Sequence, residues 1–135
     1  GEVSIGPARA EGVFVIDASI PCFGKLDSPL TVEVEQGYAA AVKGKQAAQL
    51  RAVLDTVGRG AYRIAELGIG THPAAVISGT VLEDEKVLGT CHIAFGNNMS
   101  FGGDNDVPLH LDGVIKNPSI YADTVCVMKN GMPHF

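Results

Sequence analysis

His110 and Asp112 stand two residues apart in the run Pro108-Leu109-His110-Leu111-Asp112-Gly113. Positions i and i+2 of an extended strand share a face. An imidazole and a carboxylate therefore sit side by side, while Leu109 and Leu111 anchor the other face. Imidazole nitrogen beside carboxylate oxygen on a rigid backbone makes one edge of a metal site. The pattern recurs. His92 shares a face with Ala94 and Gly96, with Cys91, Ile93 and Phe95 opposite; Glu66 is flanked by Ala65 and Leu67, and Glu2 precedes Val3 and Ile5. Small residues (Ser4, Gly68, Ala94, Gly96) on the same faces leave room for a bulky occupant. Taken singly, each strand is better explained by a hydrogen-bonded histidine or a solvated carboxylate on a half-buried sheet. Their conjunction points further, because burying several charges without partners or a metal is costly. The expected ligand set is Glu2, Glu66, His92, His110 and Asp112.

The elements that must position these residues follow from local patterning. Residues 12–17 read as a buried strand. Residues 30–36 and 38–43 alternate around Gly37 and predict a hairpin. Residues 44–58 predict the one long helix: Ala47, Leu50, Val53, Leu54 and Val57 keep helical spacing and Gly58 stops it. A strand carries Glu66, a short acidic helix over 82–88 leads into the His92 strand, and a glycine- and asparagine-rich loop spans Asn97 to Asp106. Residues 119–128 open a last hairpin with its turn at Asn130-Gly131. Strands dominate, so the expected class is α+β, strand-rich with one long and one short helix, and a metal site on strand faces.

Composition narrows the function. The chain has 135 residues, 46% of them hydrophobic, and a net charge of −5. One domain of this size holds a sizeable core. No basic stripe is present, so no nucleic-acid partner is expected, and no apolar run is long enough for a membrane span. Cys22, Cys91 and Cys126 are odd in number and form no CxxC pair. They fit a reducing cytoplasm and read as buried small hydrophobes. Neither an HExxH helix nor a GxSxG elbow occurs. Asp104-Asn105-Asp106 lacks the remainder of an EF-hand loop. Glu83-Asp84-Glu85 reads as a solvated helix N-terminus, His72 as a loop residue and His134 as a solvated terminal one. Gly1 is not an initiator methionine, which suggests a fragment of a longer protein.

Several stretches together resemble a known family. Ala65-Glu66-Leu67-Gly68-Ile69-Gly70-Thr71, Ile77-Ser78-Gly79, Leu82 to Thr90, His92 to Gly96 and Leu109 to Gly113 are similar to the aminopeptidase T / aminopeptidase S metallopeptidases. Gly1-Glu2-Val3 resembles the end of that family's Pro-x-Gly-Glu-Val segment. The resemblance implies that residues 1–135 are the C-terminal metal-binding domain of a longer metallopeptidase-like protein, paired with an N-terminal domain of the same chain and forming a homodimer. It implies a cytoplasmic hydrolase releasing N-terminal residues from a peptide substrate with metal-activated water. Glu2, Glu66, His92, His110 and Asp112 would bind divalent metal (Zn, Co or Mn), with Glu2 or Glu66 available as catalytic base. The family's catalytic tyrosine, seven residues after the first histidine, is Met99 here, and the connection from His92 to His110 is shorter. The 2,5-dihydroxypyridine dioxygenases share the architecture and offer an alternative, in which His92, His110 and Asp112 hold one Fe(II). A non-catalytic β-rich domain is the third reading.

Overall fold

The computed structural model describes residues 1–135. In chain order the elements are β1 (Glu2–Ile5), β2 (Gly12–Ile16), β3 (Ser19–Ile20), β4 (Gly24–Lys25), β5 (Leu30–Glu35), β6 (Tyr38–Lys43), α1 (Ala47–Asp55), β7 (Ile64–Gly70), α2 (Val81–Asp84), β8 (Thr90–Gly96), β9 (His110–Lys116), β10 (Ile120–Ala122), β11 (Val125–Lys129) and β12 (Met132–Pro133). Two 3₁₀ turns, Arg59–Tyr62 and Met99–Phe101, complete them. The α+β, strand-rich class with one longer and one short helix is what the chain adopts. No helix is long and apolar enough to cross a membrane.

The principal sheet has six strands in the order β1-β7-β8-β9-β3-β4, every neighbouring pair antiparallel. A second sheet, β2-β5-β6, is antiparallel throughout, with β3 and β4 of the large sheet intervening in the chain between β2 and β5. Its tight β5–β6 turn is closed by Gln36 and Gly37, both at positive φ (51° and 83°). That pair of left-handed residues matches the twist of the strands it joins. A third sheet, β10-β11-β12, ends the chain: the segment 119–128, expected as one arm of a hairpin, is itself turned at Asp123 (φ 55°) into β10 and β11, and Asn130-Gly131 makes the turn that this residue pair signals.

The core lies between the back of the large sheet, the β2-β5-β6 sheet and α1. Phe95, Ile16, Ile20, Leu30, Val32, Leu50 and Leu54 are fully buried there. Ala47, Leu50 and Leu54 form the buried stripe of α1, and Phe14 packs on Phe95 at 6.1 Å between ring centroids. This packing occupies the apolar side of β7, β8 and β9 and leaves their other side to the ionisable residues.

Other local expectations change as well. The long helix is confined to Ala47–Asp55, because Gly44 and Lys45 turn the chain out of β6 before it begins. The buried strand at 12–17 is an edge strand of its sheet, with Val13 and Val15 exposed. The acidic helix is a single turn, Val81–Asp84, and its acids are not all solvated: Asp84 is fully buried and Glu85 nearly so. Successive residues of a helical turn point about 100° apart, so three consecutive acids on a turn pressed against a sheet cannot all face water. Cys91 is buried, whereas Cys22 is exposed and Cys126 is intermediate.

Candidate metal centre

Four adjacent antiparallel strands assemble the site by register. Glu2 pairs with Gly70, Gly68 with His92, Glu66 with Ala94, Ala94 with Asp112 and Gly96 with His110. Directly opposed residues share a face. The pairings therefore gather Glu2, Glu66, His92, His110 and Asp112 over a floor of Gly68, Gly70, Ala94 and Gly96. The floor must be small. A Cβ on Gly68 would overlap His92 Nε2, so glycine is what lets that imidazole lie across the neighbouring strand.

All five residues proposed from alternation meet in one hollow. Glu66 stands between the two imidazoles: Oε1 is 3.2 Å from His92 Nε2 and Oε2 is 3.0 Å from His110 Nε2. Glu2 Oε2 approaches His92 Nε2 at 3.3 Å, and Asp112 Oδ1 approaches His110 Nε2 at 3.4 Å. Three sets each bring their donor atoms within 4.8 Å of one another: Glu2-Glu66-His92, Glu66-His110-Asp112 and Glu85-His92-Asp112.

The residues present fit a divalent metal. Nδ1 of His110 lies 2.8 Å from the carbonyl oxygen of Asn97. With its N–H donated there, His110 turns a lone pair on Nε2 toward the hollow, the usual way a second hydrogen bond orients a ligating histidine. Two buried atoms of the cluster, His92 Nδ1 and Asp112 Oδ1, have no hydrogen-bond partner; the 3.4 Å approach of His110 to Asp112 is a charge contact without hydrogen-bond alignment. Unpaired buried polar atoms are uncommon in folded proteins, and beside other carboxylates and imidazoles they are compatible with an ion as the missing partner. Imidazole with carboxylate suits Fe, Zn, Mn or Co.

Without an ion the charges of the cluster shift one another's proton affinities. Burial pushes the Glu66 carboxyl up, but hydrogen bonds from His110 and His92, reinforced by their charge, overcome it and hold the group at about 2. Asp112 and then Glu66 raise His110 to about 10, against the opposing effect of burial. Burial alone would lower His92, and Glu66, Asp112 and Glu2 together carry it upward instead.

Glu85 is the residue that sequence reasoning missed. It is 6% exposed, approaches His92 and Asp112, and is paired with Lys86 at 2.6 Å. Its carboxyl is raised, first by burial and then by the charges of Asp112 and Glu2, with Lys86 opposing. The available signal was its place in a three-acid run on a single turn feeding the His92 strand. Phe101 was missed as well: its ring stacks on His110, 6.0 Å between centroids and 22° between planes. Met99, at the tyrosine position, is half exposed in the same turn. His72 caps its own loop through Nδ1 and the Ala74 N–H, away from the hollow. Asp106 ties to Asn97 within its loop.

Comparison with known proteins separates the two resemblances. The family described as NicX, 2,5-dihydroxypyridine 5,6-dioxygenase, matches residues 4–134. The 2,5-dihydroxypyridine 5,6-dioxygenase of Pseudomonas putida is 27% identical over 136 aligned positions, covering 90% of this chain and 39% of that protein. A solved structure of the 2,5-dihydroxypyridine dioxygenase from Pseudomonas putida KT2440 superposes with a TM-score of 0.85 at 27% identity, over 95% of this chain and 42% of that one. The chain thus spans about two fifths of the relatives it matches. These matches overturn the aminopeptidase T / aminopeptidase S assignment, and with it the metallopeptidase, aminopeptidase and hydrolase readings. The physical reason for the error is that a strand pattern of carboxylates and imidazoles marks a metal-compatible face, and such a face serves more than one chemistry. Met99 in place of a proton-donating tyrosine agrees with the correction.

Proposed function

We propose, on the premise that this chain belongs to the 2,5-dihydroxypyridine 5,6-dioxygenase family, that the β1-β7-β8-β9 face is the iron-holding part of an oxygen-dependent, ring-cleaving centre. His92, His110 and Asp112 are the proposed ligands of one Fe(II), the two-histidine, one-carboxylate set with open positions used by non-haem oxygenases. When bound, ferrous iron supplies one-electron chemistry toward dioxygen and a hydroxylated aromatic ring.

The chain's own residues have separate tasks in this reading. Asn97 aims His110 through its carbonyl oxygen. Glu66 touches both imidazoles, is almost fully buried, and sets the distance and orientation between them. The Glu2 side chain is 30% exposed at the open side of the hollow and lies beside His92. It is therefore the carboxylate placed to take a proton from the hydroxyl of an incoming ring. Phe101 flanks His110 and narrows the approach.

One observation carries the reading: a chain of this family presents Nε2 of two histidines to a shared buried carboxylate, one of them locked by a backbone carbonyl. The test is anaerobic loading with Fe(II), metal analysis, then oxygen uptake with 2,5-dihydroxypyridine. The expected result is one iron per chain, with oxygen consumed only when the ring compound is added. Two ions per chain, or bound iron with no oxygen consumption, would overturn the proposal.

A further inference from the structure

All four arginines of this chain, Arg9, Arg51, Arg59 and Arg63, line one surface outside the metal-compatible ligand set, although Arg9 also borders a cavity that reaches Glu66. Two neighbouring cavities define it. The larger, of about 860 Å³, has Arg51 and Arg59 on its wall with Tyr38 and Tyr62. The smaller, of about 390 Å³, has Arg9 and Arg63. They share Glu11 and Gln36. None of the six lysines lines either one. In a chain of net charge −5, this is a concentration of the one side chain suited to forked recognition of carboxylates.

These guanidiniums are not used by the fold as ion pairs. Every ion pair in the molecule involves a lysine or a histidine. Arg51 donates to the Val42 carbonyl. Arg59 and Arg63 stack over the Tyr38 ring, 4.3 Å and 5.6 Å from its centroid. The two groups are held beside Tyr38, whose hydroxyl Arg63 and then Arg59 hold below the usual tyrosine pKa, and no carboxylate of the fold neutralises them. Arginine and tyrosine around a concave surface are also the residues that dominate protein–protein hot spots.

We propose that this face docks an acidic protein segment whose carboxylates are separated by uncharged residues. Two features favour a segment over a continuous polyanion. The arginines are shared between two adjoining cavities, Arg51 and Arg59 in one and Arg9 and Arg63 in the other. Glu11 lies at their junction, and Glu35 lies on the wall of the larger; both repel a ligand charged at every unit. A peptide with spaced acids meets the arginines and passes the glutamates with neutral residues.

The test uses the 135-residue chain and a short fluorescein-labelled peptide with glutamate at every third position, followed by anisotropy at low ionic strength. Matched peptides carry lysine or glutamine in place of glutamate, and inorganic tripolyphosphate serves as competitor. The glutamate peptide alone is expected to bind, and added salt should weaken it. Arg59→Ala with Arg63→Ala should weaken binding about tenfold, the Lys/Lys double variant should fall between that and the native chain, and Lys116→Ala should leave binding unchanged. Equal binding by the Ala/Ala double variant with an unchanged circular dichroism spectrum would overturn the proposal. So would failure of the glutamate peptide to bind, equal binding of the lysine or glutamine peptide, or displacement by tripolyphosphate well below the peptide's own concentration, which would assign the face to phosphate anions.

Discussion

Two regions of this molecule bury acids against the same sheet, and they do so in opposite ways. At the α2 corner, Asp84 is wholly enclosed and every contact is satisfied: Oδ2 accepts from Ser19 Oγ at 2.7 Å and from the Gly79 N–H at 3.0 Å, and Oδ1 accepts from the Ser78 N–H at 2.7 Å. In the hollow, Glu66 and Asp112 face imidazoles, further carboxylates crowd the same space, and Asp112 Oδ1 and His92 Nδ1 have no partner. The difference teaches that burial of an acid does not mark function. Completion of its hydrogen bonds marks scaffold; incompleteness marks a place kept for something else.

The two regions should answer mutation differently. The largest effect is expected at the corner. Asp84→Ala strands the Ser78 and Gly79 N–H groups beside a void and should cost about 3 kcal/mol of stability, read as a lower urea midpoint. Metal uptake per folded molecule should not change. In the hollow the signs of importance reverse. Asp112→Asn should cost the metal-free chain less stability than Asp84→Ala does, because the lost attraction to His110 is partly offset by relief of the repulsion with Glu85, yet lower Fe(II) affinity by at least about tenfold, measured by competition with a chelator. A large stability loss in Asp112→Asn would erase the distinction.

Acidity sharpens the contrast. His110 is raised from 6.5 to about 10 by its carboxylate neighbours. Its contribution to the metal-free chain is therefore complete below pH 6.5 and is lost as pH rises toward 10. Glu66 is lowered from 4.5 to about 2, so its contribution is complete above 4.5 and is lost as pH falls toward 2. The metal-free chain should be most stable between these limits, and loading with metal should release protons and flatten the alkaline decline, because the ion replaces them. Asp84→Ala should keep that profile at a lower overall level. Denaturation midpoints against pH, with and without metal, check all of this. The smallest effect is expected at Asn97→Ala. Its side chain bonds the Met99 N–H, Asp106 and the Val107 carbonyl, and loosening that loop should blur the aim of His110. The expected cost is about tenfold in metal affinity, with no measurable change in the pH of maximum stability.

Much of the hollow was legible before any coordinates. Alternation put His110 with Asp112, His92 with Ala94 and Gly96, and Glu66 with Gly68 on common faces. The paired hairpin strands 30–36 and 38–43 were legible for the same reason, through Gly37, although Gln36 belongs to the turn and not to the strand. Glu85 was not, because a single helical turn has too few residues to establish which side faces in. Phe101 was not either: it reaches His110 from a 3₁₀ turn inside a long loop, and loops have no period. Alternation was also unable to choose between peptidase and dioxygenase, since both place imidazoles and carboxylates on strands. Similarity along nearly the whole chain decided the family.

The sequence by itself determined which side chains each strand turns to a common side, where the tight turns fall, and that one face is small and polar while the other is aliphatic. These are steric properties of a few consecutive residues. Only the tertiary structure decided that β1, β7, β8 and β9 lie next to one another in a register that sets Glu66 between two imidazoles. It alone folded Asp84 into a closed knot of hydrogen bonds and drew every arginine to one surface. Those arrangements depend on pairings between residues far apart in the chain, and such pairings are set by how whole sheets and α1 share a single core.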